Sequence, residues 1–489
     1  MNAEKPFIHL FKTPGAYYFY DVNRNANVRI QEPVWRQLNR RLKSSSVPPS
    51  QDSSPTDSQA DRQIQRLHKD GFLSSNHAKE IQHPNDETVQ YHLDNKVEKI
   101  TLQVTRQCNL RCDYCAYSGG YYNRFHENTR MTFETAKRSI DFLIEHSTDN
   151  DRVNIGFYGG EPLIEFELIR QCIAYAEAKG HGKNLHFSIT TNGTLLEDKL
   201  DYFNSHDIYI TISLDGPREI HDQTRRTCNN EGSYDKVMHV LHIINNQYPE
   251  LLKRVMINAV VNPDNDFGCI NDFFDHSDMV KDINSSMALI TDQYARKGIK
   301  LNEDFVVKNE YEHFKVMLSK LGRLDKKHIS RLIEKRFGDL KKMYDHTSLT
   351  TKLPHSVHHG GPCLPGVQRL FVTVNGDFLP CERVSETSEM MNIGNITDGF
   401  NLEQVRELLN IGKITDKQCL NCWAFRHCYM CAAFADDLQE LSAAKKLAKC
   451  QSIRLYVEAL YKDICTLREL GYSFRDTEDN YSIGEVANQ

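Results

Sequence analysis

The sequence lacks most features that would place the protein in a membrane, outside the cell or on nucleic acid. No run of about 18 apolar residues is present to cross a bilayer. The first residues, Met-Asn-Ala-Glu-Lys-Pro, lack the charged and then apolar pattern of a signal peptide. The net charge of −6 gives little electrostatic attraction for nucleic acid or anionic lipid. We therefore expect a cytoplasmic protein with neither nucleic acid nor membrane as a partner.

The length of 489 residues favours two or three domains. Residues 1–90 read as a small α+β unit. Strands are predicted at Phe7–Lys12, Tyr17–Asn23 and Asn27–Ile30, and helices at Glu32–Leu42 and Asp61–Leu73. Residues 44–62 are rich in Ser, Pro and polar residues, which predicts a flexible linker within this unit.

Residues 95–300 alternate between apolar strand patterns and helical patterns. The predicted strands are Ile100–Val104, Val153–Phe157, Leu185–Thr190, Ile208–Leu214, Val255–Val261 and Met287–Ile290. The helical stretches between them include Phe133–His146, Glu165–Lys179 and Tyr234–Asn246. Repeated βα units imply a parallel sheet with helices outside. Six units favour an α/β fold with a partly closed barrel, whose functional residues lie at the carboxyl ends of the strands.

Three further segments complete the predicted organisation. Residues 301–360 are charged and read as a helical bridge, and residues 361–472 form a last domain. A hairpin is predicted in that domain at Asn375-Gly376. Residues 473–489 read as a polar tail.

Clustered cysteines are the strongest chemical signal among the 14 in the chain. Cys108, Cys112 and Cys115 follow the first barrel strand with the spacing C-x3-C-x2-C. A [4Fe–4S] cluster normally takes four cysteines, so three leave one iron open for a substrate or cofactor. A zinc site is the alternative, and it would need a fourth ligand such as His126. Cys172, Cys228, Cys269 and Cys465 stand apart and are interpreted as bystanders.

The cysteine trio resembles the hallmark of the radical S-adenosylmethionine (SAM) superfamily, in which an aromatic residue, here Tyr114, precedes the third cysteine. Several strand-end motifs agree in order and position with the places where that family contacts SAM. The resemblance assigns SAM contacts to Tyr114, Gly159, Gly160, Glu161, Pro162, Thr190, Thr191, Asn192, Ser213, Asp215 and Arg225. It implies reductive cleavage of SAM to methionine and a 5′-deoxyadenosyl radical.

A second cysteine group in the last domain resembles the SPASM extension of radical SAM enzymes. The resemblance implies one auxiliary [4Fe–4S] cluster on Cys419, Cys422, Cys428 and Cys450. It implies another on Cys363, Cys381 and Cys431, where a missing fourth protein ligand would leave room for a substrate thiolate. Cys431 follows Cys428 one residue earlier than in the family pattern. Structural zinc is the alternative for this group. Glu382 occupies a position where some such enzymes carry a proton acceptor.

The first 90 residues resemble the winged-helix-like recognition element of ribosomal-peptide maturases, which binds a leader peptide as an added strand. Together the resemblances imply a maturase that forms cysteine thioether cross-links in a cysteine-rich precursor peptide. An electron donor such as flavodoxin or ferredoxin is then expected as a second partner. The alternatives are a formylglycine-forming enzyme like the sulfatase maturases, a carbon–carbon cross-linking maturase and a non-catalytic zinc-binding adaptor.

Overall fold

The N-terminal residues form a three-stranded antiparallel sheet with two helices. In the computed structural model, which describes residues 5–43, 55–180, 182–359, 361 and 363–474, the strand order is β1-β2-β3. These elements are β1 Ile8–Lys12, β2 Tyr17–Asp21, β3 Ala26–Ile30, α1 Glu32–Lys43 and α2 Pro55–Lys69. Phe19, Val28, Leu38 and Ile64 meet in a separate apolar core between the sheet and the helices.

The predicted linker is wrong over its second half. Residues 44–54 lie outside the described residues, but helix α2 begins at Pro55, inside the stretch interpreted as flexible. Ala60, Ile64 and Leu67 recur at helical spacing and are buried against α1, which stabilises the helix despite its polar first turn. The helix ends at Lys69 rather than Leu73 because Gly71 turns the chain with φ +82°.

The centre of the molecule is a sheet of six parallel strands followed on one edge by a hairpin. The strands are β5 Lys99–Thr105, β6 Arg152–Gly159, β7 Asn184–Thr191, β8 Ile208–Ser213, β9 Val255–Val261 and β10 Asn284–Leu289. They lie in the order β10-β9-β8-β7-β6-β5, all parallel. The predicted α/β class and the six-stranded partial barrel are therefore confirmed.

Helices between the strands cover the outer face of the sheet. The largest are α4 Phe133–Glu145, α5 Phe166–Lys179, α8 Tyr234–Gln247 and α10 Phe267–His276. Shorter elements in the same half of the chain are β4 Glu80–Ile81, α3 Val89–Asn95, α6 Leu200–Ser205, α7 Arg218–Thr224 and α9 Pro249–Leu252. Ile100, Leu102, Ile155 and Ile173 belong to the apolar core formed by the strands and these helices.

The hairpin predicted at Asn375-Gly376 extends the central sheet. Its strands are β12 Leu370–Val372 and β13 Phe378–Leu379, and β12 pairs in parallel with β5, with Leu370 opposite Ile100. Gly376 has φ +92°, which favours glycine in the turn. The domain boundary predicted at residue 361 therefore falls before a strand that continues the barrel sheet.

Helices fill the rest of the described chain. The predicted bridge contains α11 Glu303–Lys320, α12 Arg331–Glu334 and α13 Arg336–His346. The remaining elements are β11 Ser356–Val357, β14 Gly394–Asn395, β15 Gly399–Phe400, α14 Leu402–Leu409, α15 Asp416–Leu420 and α16 Ala443–Glu469. None of the described helices combines the length and the apolarity needed to cross a membrane. The predicted polar tail from residue 475 onward lies outside the described residues.

Helix α16 connects the N-terminal sheet to the C-terminal cysteines. His9 of β1 stacks on Trp423, with ring centroids 3.6 Å apart, and contacts the Glu458 carboxylate of α16 at 2.8 Å. Tyr18 of β2 donates to Glu469 near the end of the same helix at 2.7 Å. Trp423 lies between Cys422 and Cys428, so the sheet packs directly on the segment that carries these cysteines.

Candidate active site

The cysteine trio lies in the loop that follows β5, at the carboxyl end of the sheet. Cys112 is buried, and Cys108 and Cys115 are partly exposed. The backbone N–H of Leu110 donates to Cys108 Sγ at 3.4 Å, and that of Cys115 donates to the Cys112 carbonyl at 3.0 Å. Burial, followed by the Glu161 carboxylate, raises the pKa of the Cys108 thiol to about 12. Burial also raises the pKa of Cys112 to about 11.

The turn at Gly159-Gly160 holds the start of this cysteine loop. A Cβ on Gly159 would lie 2.2 Å from the Thr105 carbonyl oxygen, and one on Gly160 would lie 2.1 Å from that of Gln107. The N–H of Gly160 donates to Thr105 at 2.9 Å, and the N–H of Glu161 donates to Gln107 at 2.8 Å. The family resemblance assigns SAM contacts to both glycines. Their close approach in the structure is to the protein backbone.

Glu161 is fully buried and hydrogen-bonded within the protein. Its carboxylate accepts from the N–H of Leu163 at 3.0 Å, from the Thr191 hydroxyl at 2.7 Å and from the N–H of Asn192 at 2.7 Å. Burial raises the pKa of Glu161, and these hydrogen bonds act in the opposite direction. The carboxylate thus joins the ends of β6 and β7 behind the cysteine loop. Asn192 in turn donates to Asn109 at 2.9 Å and contacts Cys108 Sγ at 3.9 Å.

Tyr114, Asp215 and Arg225 form a buried cluster next to the trio. Arg225 Nε donates to Asp215 at 2.7 Å, the Tyr114 hydroxyl donates to the same carboxylate, and the guanidinium lies 5.3 Å from the Tyr114 ring centroid. The N–H of Val260 also donates to Asp215, at 2.9 Å. The family resemblance assigns Arg225 to SAM, whereas the structure pairs it with Asp215.

The other predicted SAM contacts lie on the same rim. Pro162 is buried in the turn after β6, and Thr190 and Ser213 are half-buried near the ends of β7 and β8. The structure therefore brings together the ends of four neighbouring strands and the cysteine loop. The SAM roles of these residues remain predictions.

The inner face of the sheet is polar. A Cβ on Gly156 would lie 3.1 to 3.3 Å from Thr101 Oγ1, Lys99 Cε and Ser188 Oγ, which places these side chains together inside the curved sheet. Ser188 also donates to Asn154 at 3.0 Å. Burial lowers the pKa of Lys99. Alternate strand residues such as Ile100 and Ile155 are apolar and buried on the outer side.

Cys381 and Glu382 lie at the opposite end of β5 from the trio. Leu379 pairs with Phe371, whose strand neighbour Leu370 pairs with Ile100, so the chain after β13 returns to the amino end of β5. Seven strand residues span roughly 20 Å. Glu382 accepts from Arg369 at 3.0 Å. The predicted proton acceptor is therefore already in an ion pair, and its catalytic role remains a prediction.

The C-terminal cysteines fall into two electrostatic groups. Burial raises the pKa of Cys381 to about 11. The Glu382 carboxylate and the Cys363 and Cys431 thiolates add to this increase. Burial raises the pKa of Cys428 to about 12, and Cys422 and Cys419 add to this. Burial also raises the pKa of Cys450, and the Cys419 thiolate adds to this increase. The grouping of these seven residues agrees with the predicted ligand sets, which remain predictions.

The iron–sulfur clusters on these thiols remain predictions, with structural zinc as the alternative. Within the described ranges, no group of three or more His, Cys, Asp and Glu side chains is arranged to hold one metal ion. Each cysteine of a [4Fe–4S] cluster binds a different iron, so its ligands stand further apart than those of one ion. The burial that raises the thiol pKa values also requires a cationic group to stabilise the thiolates.

A buried network that the sequence did not predict connects the two ends of β5. Arg124 Nε contacts Glu386 at 2.7 Å, and its guanidinium also binds the Glu382 carbonyl. Gln103 of β5 donates to the same Glu386 carboxylate at 2.6 Å. Arg124 follows the trio, and Glu386 follows Cys381. No local motif marks either residue, because their contact depends on the hairpin joining the sheet.

Known proteins resemble the barrel part of the chain. Residues 102–276 match the model of the Radical SAM superfamily. A cysteine-type anaerobic sulfatase-maturating enzyme of Clostridium novyi is 32% identical over 148 residues, 29% of this chain and 38% of that protein. The radical SAM cyclopropyl synthase TigE of Paramaledivibacter caminithermalis is 27% identical over 184 residues, 35% of this chain and 38% of that protein. This chain thus spans under two fifths of either relative.

Among solved structures, native anSMEcpe with bound AdoMet and Cp18Cys peptide aligns with a TM-score of 0.56 at 19% identity. The alignment covers 76% of this chain and 99% of that one, so the likeness is one of fold. Residues 102–276 of the chain therefore match the Radical SAM superfamily model, and the fold of the chain is similar to that of anSMEcpe.

Proposed function

We propose that the protein is a radical SAM maturase that forms cysteine thioether cross-links in a cysteine-rich precursor peptide. The observation that carries the proposal is the polar inner face of the barrel, which runs from the Cys108 rim to Cys381 at the other end. A peptide segment lying there would contact both cysteine regions at once. A packed barrel core would be lined by apolar side chains, whereas Lys99, Thr101 and Ser188 are charged or polar.

The residues have distinct proposed roles. Cys108, Cys112 and Cys115 would hold a [4Fe–4S] cluster, which together with SAM supplies a carbon-centred radical when bound. The strand ends from Gly159 to Arg225 would orient SAM, with Glu161 and the Asp215–Arg225 pair fixing the loops. Cys363, Cys381 and Cys431 would hold an auxiliary cluster with a position for a substrate thiolate. The barrel walls would exclude water.

The N-terminal sheet supports a peptide substrate. The N–H of Val22 donates to Phe7 at 3.2 Å, so Val22, Tyr20 and Tyr18 point their backbone groups towards β1. Phe19 then points towards Val28 of β3, and Arg29 points its N–H and C=O away from the sheet. No described strand pairs with this edge of β3. A leader peptide can add there as a fourth strand.

A second candidate function is formylglycine formation. The likeness to sulfatase-maturating enzymes in sequence and fold favours it, because those relatives share the barrel that carries the proposed site. The presence of the docked N-terminal sheet favours the peptide maturase. Both functions need the same radical machinery, and they differ in what becomes of the substrate cysteine.

Mass spectrometry with thiol and aldehyde probes separates the two reactions. The protein is reconstituted anaerobically, supplied with SAM and reductant, and incubated with a short cysteine-rich peptide encoded beside its gene. Thioether formation removes two hydrogens per bridge and consumes one alkylatable thiol. Formylglycine formation from cysteine replaces sulfur by oxygen, removes two hydrogens and yields an aldehyde that reacts with a hydrazine probe. An unchanged peptide mass, with SAM cleavage intact, would refute both reactions on that peptide.

Paired variants of Arg29 test the recognition role. Arg29→Pro removes an N–H from the free edge of β3, whereas Arg29→Thr keeps it. The probe is the leader segment of the precursor peptide, carrying a fluorescent label. We expect the proline variant to bind it at least about tenfold more weakly than the threonine variant does, with SAM cleavage unchanged. Equal binding by both variants would mean that the leader does not add to β3.

A further inference from the structure

A lysine is fully buried beside one of the C-terminal cysteines. Lys446 of α16 is 1% exposed, and its Nζ donates to the Ile411 carbonyl at 2.9 Å and to Thr415 Oγ1 at 2.7 Å. Its third contact is Cys419 Sγ at 3.7 Å. No carboxylate of the part of the chain that the structure describes lies within 4 Å of Nζ. A buried ammonium without an anionic partner is strongly destabilising, so this position calls for one.

The Lys446 ammonium is directed at the sulfur of Cys419. Thr415 Oγ1 accepts from Lys446 and also lies 3.3 Å from Cys419 Sγ. Because the hydroxyl oxygen accepts from the ammonium, its own proton is free to point at the sulfur. Two donors, an ammonium and a hydroxyl, therefore converge on one sulfur. A neutral thiol is a weak acceptor, but a cluster-bound thiolate is anionic and satisfies both donors.

The other groups around Lys446 carry no negative charge of their own. The pKa of His358 is lowered to about 4 and that of His359 to about 2, chiefly by burial, so both rings are neutral. Cys450 lies one turn further along α16, and its Sγ is 3.8 Å from the Lys446 carbonyl. Lys446 thus contacts Cys419 directly and lies one helical turn from Cys450.

We propose that Lys446 is the internal counter-cation of the cluster held by Cys419, Cys422, Cys428 and Cys450, and that with Thr415 it raises the reduction potential of that cluster. The proposal rests on the proposed function and on the ligand set that the SPASM resemblance implies. Net charge and hydrogen bonds to the sulfurs are among the factors that set such potentials. A nearby positive charge favours the reduced, more negative form, which makes this cluster an electron acceptor within the protein.

Potentiometric titration of the reconstituted holoenzyme, followed by electron paramagnetic resonance, tests the proposal. We expect Lys446→Met to lower the midpoint potential of one cluster and to leave the others unchanged. Thr415→Val removes only the hydroxyl, and it should lower the potential of the same cluster by less. Lys449→Met is the control, because Lys449 lies on the same helix but pairs with Asp292 at 3.1 Å near the surface.

Iron content decides the outcome where a variant assembles poorly. The wild type should hold about twelve iron atoms per chain, four for each cluster. Unchanged potentials in a fully loaded Lys446→Met variant would overturn the proposal. If Lys446→Met loses about four irons, Thr415→Val decides alone, and an unshifted potential there overturns the proposal. Peptide modification is scored separately, so a failed maturase assay with a shifted potential would refute the proposed function and leave the role of Lys446 standing.

Discussion

The loop after β5 and the cysteine group beside α16 both bury their thiols, but they differ in the charge that surrounds them. Glu161, an acid, adds to the burial that raises the Cys108 pKa. The α16 group instead contains the Lys446 ammonium, in contact with Cys419. In the first region the nearby Arg225 guanidinium is already paired with the Asp215 carboxylate, whereas Lys446 in the second region has no carboxylate partner among the described residues. This difference suits a site that opens to a ligand in the first region and a closed site in the second.

The two regions also share one device. A Cβ on Gly160 would lie 2.1 Å from the Gln107 carbonyl oxygen, and one on Gly361 would lie 2.2 Å from the Tyr429 carbonyl carbon. In each case a glycine lets a second segment lie against the backbone next to a cysteine. The cysteines are therefore held by backbone packing in both regions, and the charges distinguish them.

Single cysteine replacements should separate the regions most strongly. We expect Cys108→Ala to abolish SAM cleavage, because the open iron that binds SAM is lost. Cys422→Ala should lose about four irons as well, yet keep SAM cleavage. Iron analysis and chromatographic detection of 5′-deoxyadenosine measure both effects. Cys269→Ser, at an exposed cysteine, is the control. Equal loss of SAM cleavage in the two alanine variants would remove the functional distinction.

Glycine replacements test the shared device. Gly160→Ala drives a methyl group into the Gln107 carbonyl and should weaken SAM binding about tenfold or more by displacing the Cys108 loop. Gly361→Ala should leave SAM binding intact and instead disturb iron loading at the group that contains Cys428, because the new methyl group displaces Tyr429. Gly338→Ala in α13 has open space around the new Cβ and should stabilise the protein slightly, by about 0.5–1 kcal/mol. Isothermal titration with SAM and iron analysis check these outcomes.

The buried ion pair of the first region should matter more for stability than an exposed one. Arg225→Met leaves the Asp215 carboxylate buried without its cation, and we expect a loss of about 3–5 kcal/mol in the free energy of unfolding. Arg218→Met removes a solvent-exposed partner of Asp235 from the neighbouring helix α7 and should change stability little. Urea unfolding of the two variants gives the comparison. Similar losses would mean that the Asp215–Arg225 pair does not secure this rim.

Periodicity and motif spacing were sufficient to predict the six-stranded barrel and the position of the cysteine loop. The apolar alternation from Ile100 to Val104 marks a buried strand, and Cys108 follows it by only a few residues. Long-range pairing was beyond such patterns. Nothing near Leu370 indicates that its strand pairs with β5, and nothing near Asp215 indicates that Arg225 takes its carboxylate.

Local composition also misled in one place and was silent in another. The polar residues from Pro55 to Asp61 suggested a linker, but tertiary packing of Ile64 and Leu67 stabilises a helix there. Lys446 looks like one more lysine in Lys445-Lys446, four residues before Cys450. Its burial depends on Ile411 and Thr415 from another segment, and one sequence does not show that.

Acid should loosen the N-terminal sheet from the second cysteine region. The hydrogen bond from His9, helped by Lys462, lowers the pKa of Glu458 from 4.5 to about 2, against the effect of burial. A lowered carboxyl pKa stabilises the folded state above the ordinary value, and this contribution is lost as the pH falls from about 4.5 towards 2. The pair is partly exposed, so we expect only about 1 kcal/mol.

Trp423 can report this change directly, because the chain has only two tryptophans. In a Trp35→Phe background, fluorescence follows the ring that stacks on His9. We expect the Trp423 signal to change between about pH 4.5 and 2 in this background, and the change to be absent when Glu458→Gln is added. A transition of equal size in both proteins would assign the acid sensitivity to groups other than Glu458. The contact between the sheet and the second cysteine region would then have to depend on stacking and apolar packing alone.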